Sequence, residues 1–359
     1  MRAAIITPFF VDRDAVCNDV FHSAAAFRRA GWDTRIFAVG GHAERERFHP
    51  AAELPSWIRE AGDLTYFHFS TGRRDLLDTV AALPGRKLLK FHNITPPEMF
   101  SMWSDELAEA SRTGRLEMPR VAAMPWEHVL GDSSYNVAEI EALLPARTAR
   151  GVLPPFHETD ELMRLRPPTP PDGPMPRILN VGRLVQSKGH PFMLRVMRYL
   201  VHDLGVKAML DIVGKPDHRM LAYMRTLALM VREFGLEAHV TFHGEIDSPA
   251  LAGLYASASA FLCTSEHEGF CVPLIEAMAF GVPVVALAAT AVPETVGDAG
   301  VVWDSRDPRV FALTLQRLVG SAEERAWLAE RGRARYEAAF TNEVIGRRLE
   351  RLVAPGARD

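Results

Sequence analysis

Glu266-His267-Glu268-Gly269-Phe270-Cys271-Val272-Pro273-Leu274-Ile275-Glu276-Ala277-Met278-Ala279-Phe280-Gly281-Val282-Pro283-Val284-Val285 is the stretch whose reading decides the fold. An apolar run, Ala260-Phe261-Leu262-Cys263-Thr264, precedes it, and Val282 to Leu287 forms another at its end. Such runs suit buried parallel strands. A short helix is predicted between them. Pro273 fits the first helical turn, where a missing N–H costs nothing. Gly281 fits the left-handed residue that closes a helix, and Pro283 stops continuation. The result is a βαβ unit. In open α/β sheets ligands bind at the carboxyl ends of the strands, where loop meets helix. The N–H groups near Val272 to Ile275 suit an anion such as phosphate. Glu268 in the loop and Glu276 in the helix can each accept hydrogen bonds from neighbouring hydroxyls, as sugars and riboses require. Alone, this pair also fits a solvated loop residue and a helix-start carboxylate. The full string Glu-Gly-Phe-x-x-Pro-x-x-Glu-Ala is far more specific.

That string resembles the signature of the retaining glycosyltransferases of family 4, the group 1 glycosyltransferases, whose fold is GT-B. The resemblance implies that Glu268 contacts the donor sugar and Glu276 holds the ribose. It places Phe270, Pro273, Leu274 and Ile275 in the same nucleotide-sugar site. Gly182-Arg183-Leu184-Val185-Gln186-Ser187-Lys188-Gly189 is not a Walker A loop, since Gly-x4-Gly-Lys-Ser/Thr is absent. It matches the family's Gly-Arg…Lys-Gly element, in which Arg183 and Lys188 would bind the donor diphosphate, with Gly182 beside them. Two fixed positive charges suit an anionic leaving group. The resemblance also brings His92 close to the transferred sugar and His243, Gly244 and Glu245 near the base. It makes Thr290 the start of a phosphate-side loop. Without it, His92 reads as a structural histidine, and Arg183 and Lys188 as solvated loop charges. Glu294 fits a helix-start carboxylate better than a catalytic one. Two departures stand out. Cys271 occupies a position where the family usually has glycine, which narrows the donor pocket. The paired glycines many members carry after the first strand are missing.

Composition sets wide bounds. The 359 residues suffice for two domains, with 48% apolar and 24% charged residues as in a soluble globular protein. A formal charge of −4 does not suit a nucleic-acid binder. Cys17, Cys263 and Cys271 have neither metal-ligand spacing nor a disulfide framework, which fits a reducing compartment. The residues from Met1 to Pro8 are too short for a signal peptide before Asp12 and Arg13, and no apolar run reaches spanning length. A cytoplasmic location is expected, with peripheral contact at the inner membrane face left open.

The N-terminal half opens as strand, helix, strand: Ala3 to Ile6, a helix to Arg29 capped by Asn18 or Asp19, then Thr34 to Val39. No Gly-x-Gly-x-x-Gly fingerprint follows the first strand, which argues against a dinucleotide dehydrogenase. Leu64 to Phe69 and Lys87 to Phe91 read as strands, the second ending at His92-Asn93, and His68 is a weaker candidate than His92. Met99, Phe100, Met102 and Trp103 fit core positions at helical spacing; lining an acceptor pocket or touching a membrane stays open. Val129 to Asn136 looks like the last strand and loop of this half. Six prolines between Arg166 and Pro176 (Pro167, Pro168, Pro170, Pro171, Pro174, Pro176) read as a stiff linker.

The expected fold is α/β, GT-B, with two doubly wound Rossmann-like domains facing a central cleft. The expected domains are an N-terminal acceptor-side domain over 1–166, the linker over 167–176 and a nucleotide-sugar-binding domain over 177–336. Residues 337–359 form a helix crossing back to the N-domain, with Val344, Ile345, Leu349 and Leu352 facing inward. The expected activity is metal-independent transfer of a sugar, with retention, from a UDP- or GDP-sugar to a hydroxyl-bearing acceptor. The donor is a substrate, and no separate cofactor or metal is expected. An epimerase or phosphorylase of the same architecture, and a non-catalytic two-lobed sugar-binding protein, are the rivals.

Overall fold

The computed structural model describes residues 1–12, 14–169 and 175–354. Their apolar runs form two wholly parallel sheets. The first holds β1 (Arg2–Val11), β2 (Asp33–His42), β3 (His49–Pro50), β4 (Leu64–Phe69), β5 (Arg86–Phe91), β6 (His128–Gly131) and β7 (Ala149–Val152). Their order is β3-β2-β1-β4-β5-β6-β7. The second holds β8 (Arg177–Val181), β9 (Met209–Val213), β10 (Val240–Gly244), β11 (Ala258–Cys263), β12 (Val284–Leu287) and β13 (Gly300–Trp303). Their order is β10-β9-β8-β11-β12-β13. Both are doubly wound: the order reverses between β1 and β4 in one and between β8 and β11 in the other. Helices connect the strands, as parallel pairing favours, except between β2 and the two-residue β3, which a short loop joins.

The chain divides into two compact units. One comprises Met1–Pro97, Ala108–Glu158 and the chain from Thr341 onward; the other comprises Glu98–Leu107 and Thr159–Phe340. The division falls at Glu158/Thr159 rather than in the proline run, of which residues 170–174, with Pro170, Pro171 and Pro174, lie outside the described residues. The helix Thr159–Arg164 belongs to the second unit because Leu162 is buried in its core beside Leu274 and Ile275, and Tyr336 donates a hydrogen bond to Asp160 at 2.6 Å. Segment 98–107 also belongs there. Trp103 meets the Tyr223 ring edge-on at 5.2 Å, and Arg219 pairs with Glu106 at 3.2 Å. Phe100 is buried, whereas Met102 is exposed. The last helix, Asn342–Val353, starts at a Thr341 cap and returns to the first unit. Ile345, Leu349 and Val353 are buried there among Val20 and Phe27, and the Trp32 indole donates to the Val353 carbonyl at 3.0 Å.

Two local expectations are corrected. The first helix runs Ala15–Arg29, and Asp14 caps it by accepting from the Val16 and Cys17 N–H groups. Asn18 and Asp19 are inside it, and Asp19 is fully buried. The last strand of the first sheet is β7, not β6. Its sequence, Ala149-Arg150-Gly151-Val152, lacks an apolar run because it is an exposed edge strand.

Candidate active site

In the second unit the two strands flanking the switch point each deliver a loop. The loop after β8 carries Gly182, Arg183 and Lys188; the loop after β11 carries Ser265 to Cys271. The backbone ties them together: the Glu266 N–H donates to the Ser187 carbonyl at 2.7 Å. The Thr264 hydroxyl lies 3.1 Å from the Lys188 carbonyl and 3.2 Å from that of Gly189. Gly189 has φ +67°, and a Cβ there would lie 2.1 Å from the Thr264 carbonyl oxygen. Only glycine allows this approach.

Lys188 and Glu268 meet across the two loops. Lys188 Nζ donates to Glu268 Oε1 at 2.5 Å, and Ser265 Oγ donates to the same oxygen at 2.6 Å. Glu268 is 8% exposed. Burial opposes charge on both groups, but each holds the other ionised: the Lys188 pKa is raised and the Glu268 pKa lowered from their ordinary values. Thr290, at φ +48°, fixes the Glu268 backbone. Its hydroxyl accepts from the Glu268 N–H at 2.8 Å and donates to the Glu268 carbonyl at 2.7 Å. Gly182 leaves room for the Lys188 stem, since a Cβ there would lie 3.4 Å from Lys188 Cε.

The helix Val272–Phe280 has Pro273 in its first turn and closes at Gly281, φ +73°. Its N-cap, Cys271, has φ +75° and makes no side-chain capping bond. A left-handed non-glycine residue costs on the order of 1–3 kcal/mol and persists only where its surroundings impose it. Leu274 and Ile275 are fully buried, and Phe270 packs edge-on against Phe340 at 5.5 Å. Their side chains are core, so only their backbone can meet a ligand. The anion-binding set at this helix start is also smaller than the sequence suggests. Proline has no N–H, and the Leu274 N–H bonds the Cys271 carbonyl at 3.0 Å. Glu276 is half-buried and accepts from the Tyr255 hydroxyl at 2.6 Å. Arg183 is exposed, and its side chain has no ion pair or hydrogen bond among the described residues. His243 is held elsewhere, with Nε2 2.7 Å from Asp211 Oδ1, an oxygen that also accepts from Arg177 at 2.6 Å.

His92 lies in the first unit, within a buried polar cluster at the carboxyl ends of β4, β5 and β6. Its Nδ1 is 3.0 Å from Asp132 Oδ2 and its Nε2 is 2.9 Å from His68 Nδ1. Asp132 is a carboxylate held below the usual range: burial opposes this, and His92 and Lys90 outweigh it. It can only accept, so His92 Nδ1 carries a proton. His92 Nε2 shares a single hydrogen with Nδ1 of His68, whose own pKa burial pushes well down. Both His92 nitrogens are therefore engaged inside this unit, and the residue is 5% exposed. Lys90 and Asp19 complete the cluster; Lys90 Nζ lies 2.9 Å from Asp132 Oδ1 and 3.9 Å from Asp19 Oδ2. Lys90, Asp19 and Asp132 had no distinctive sequence signal beyond charged residues inside or beside apolar runs.

Two groups bring three ligand-type atoms within 4.8 Å of one another among the described residues: Asp19–His68–His92 and Cys263–Glu268–Cys271. In each the carboxylate already faces an ammonium, from Lys90 and Lys188 respectively.

Two Rossmann-like units, each a doubly wound parallel sheet, make the fold GT-B. Residues 164–335 match the family described as glycosyl transferases group 1. The chain is 45% identical over 71 residues to the O-antigen chain mannosyltransferase B of Escherichia coli, covering 20% of this chain and 19% of that protein. It is 29% identical over 177 residues to a D-inositol 3-phosphate glycosyltransferase of Thermobispora bispora, covering 48% and 41% respectively. The matches thus span less than half the length of these curated relatives. The structure of Anabaena HepE in complex with UDP superposes with a TM-score of 0.76 at 16% identity, covering 99% of this chain and 100% of that one. That likeness fixes the fold. No helix among the described residues is long and apolar enough to cross a membrane.

Proposed function

We propose that the protein transfers a sugar, with retention at the anomeric carbon, from a UDP- or GDP-sugar to a hydroxyl-bearing acceptor. The observation that carries this reading is the Lys188–Glu268 pair at the switch point of the second unit. Lys188 and Arg183 present positive charge to the departing diphosphate, which needs compensation most as the glycosidic bond breaks. Arg183 is exposed and unengaged among the described residues, so it can meet a ligand without first breaking a protein contact. Glu268 accepts from hydroxyls of the sugar, and Glu276 from those of the ribose. With these charges supplied by side chains, the reading requires no metal ion.

His92 can meet a ligand only if one of its two nitrogen contacts is released. The neighbouring names favour a nucleotide-sugar donor: HepE is solved with UDP and with UDP-glucose, and one Mycolicibacterium smegmatis relative is a GDP-mannose-dependent mannosyltransferase. The test is product analysis with a donor panel. Proton NMR of the new linkage should show the anomeric configuration of the donor. An inverted product, or an epimerised donor with no acceptor consumed, overturns this reading.

A further inference from the structure

We propose that Cys263 and Cys271 form a reversible redox site, a dithiol that a hydroperoxide converts to a disulfide, disabling the loop that bears Glu268. The two sulfurs and a Glu268 carboxylate oxygen lie within 4.8 Å of one another. Cys263 ends β11 and is fixed by the sheet; Cys271 begins the helix Val272–Phe280, and Glu268 lies in the loop between them. The backbone at Cys271 is left-handed, φ +75°, a conformation glycine adopts without strain. A thiol is held at that strained position against a second thiol. Both cysteines border the hydrophobic core, and polar groups meet them on one side: the Cys263 thiol donates to Ser265 Oγ at 3.6 Å, and Ser265 and Lys188 both hold Glu268.

The environments divide the roles. Contact with the Cys271 thiol lowers the Cys263 pKa from its usual value, while the same contact and burial push Cys271 up. Cys263 is the attacking thiolate. It takes one oxygen of the hydroperoxide; the O–O bond breaks, the remaining alkoxide leaves protonated as an alcohol, and Cys263 becomes a sulfenic acid. Cys271 sulfur then attacks Cys263 sulfur. The S–O bond breaks, and hydroxide leaves with the Cys271 proton as water. Two thiols lose two electrons and two protons, and the hydroperoxide becomes alcohol and water. The new bond draws the Cys271 sulfur onto Cys263 and away from the Glu268 carboxylate beside it. Cys17 is an internal control: it is buried in the first unit, and burial pushes its pKa up to about 12.

The disulfide is independent of the proposed glycosyl transfer; only its effect on turnover rests on that reading. The full-length protein is treated with hydrogen peroxide, its free thiols are alkylated, and its digest is analysed by mass spectrometry. The expected result is a peptide pair linked through Cys263 and Cys271, two hydrogens lighter than the reduced pair, with Cys17 alkylated and the link lost on adding dithiothreitol. Nucleotide-sugar turnover is lost on oxidation and restored on reduction. Cys271→Gly, which relieves the backbone strain, abolishes the link; Cys17→Ser keeps it. Separate alkylation of Cys263 and Cys271 after peroxide treatment overturns the site. A quantitative link that leaves turnover unchanged overturns the switch. A link in a protein with no donor turnover when reduced indicts the functional reading and leaves the site standing.

Discussion

Replacing Lys188 by methionine removes one partner of a buried pair and strands the other. The Lys188 side chain is 18% exposed and that of Glu268 9%, so water reaches the pair only at its edge. Breaking such a pair from one side costs about 3–5 kcal/mol, mostly the penalty of the abandoned charge. The Ser265 hydroxyl stays on Glu268 at 2.6 Å, which puts the expected loss for Lys188→Met near the low end, about 3 kcal/mol. That is a large share of the roughly 5–15 kcal/mol that stabilises a typical domain. Glu268→Gln abandons Lys188 and should cost a similar amount. The double variant abandons neither charge and should return to within about 1 kcal/mol of the parent. Urea unfolding by circular dichroism and tryptophan fluorescence reads these differences, with a separate transition fitted for each unit where the probes diverge. Single variants costing under about 0.5 kcal/mol, as exposed substitutions do, would refute the buried-pair reasoning. So would strictly additive losses in the double variant. In parallel, Lys188→Met should lower turnover by about 100-fold if Lys188 stabilises the leaving diphosphate.

Gly189→Ala should lower the melting temperature of the second unit, because its Cβ would enter the Thr264 carbonyl and its φ is +67°; an unchanged melt contradicts this. Glu276→Gln should raise the donor Michaelis constant with little change in turnover, since a ribose contact is as strong before the reaction as during it; steady-state kinetics showing the reverse pattern sink that role. Burial, with help from the Lys188 charge, lowers the His190 pKa from 6.5 to about 3. The unfolded chain therefore takes up a proton below about pH 6.5 that the folded chain refuses until about pH 3, and stability falls with pH across that window. The slope from this group approaches about 1.4 kcal/mol per pH unit. His190→Gln should flatten the acid limb of stability against pH, and an unaltered limb would show that His190 is not its source.

Much of the second unit was legible because its signals are local. Pro273 and Gly281 bound their helix by backbone chemistry alone, and the apolar runs lie in the buried parts of β8 and β11 and throughout the buried β12. The spacing of Arg183, Lys188, Glu268 and Glu276 placed them on loops and a helix start at one sheet edge. The direct Lys188–Glu268 pairing was not legible, because it joins residues on separate loops through folded geometry. Phe270, Leu274 and Ile275 belong to the motif, yet their side chains serve the core; a motif does not say which of its atoms face a ligand. The first unit was read less well. Asp19 suggested a helix cap by type, but Asp14 takes that position and Asp19 turns inward to the Lys90–His92 cluster. β7 escaped notice because an exposed edge strand needs no apolar pattern. Residues 98–107 gave no hint of belonging to the second unit, since Trp103 finds Tyr223 only once both are folded.

The most direct test of the central claim is calorimetric titration of the full-length protein with UDP, GDP, ADP and dTDP. The site described here predicts that at least one of them binds once per chain, and that Lys188→Ala and Arg183→Ala each weaken that binding while leaving the circular dichroism spectrum unchanged. Absence of binding by all four nucleotides, or equal affinity in the parent and both variants, would contradict a donor-diphosphate site at the Lys188–Glu268 loops.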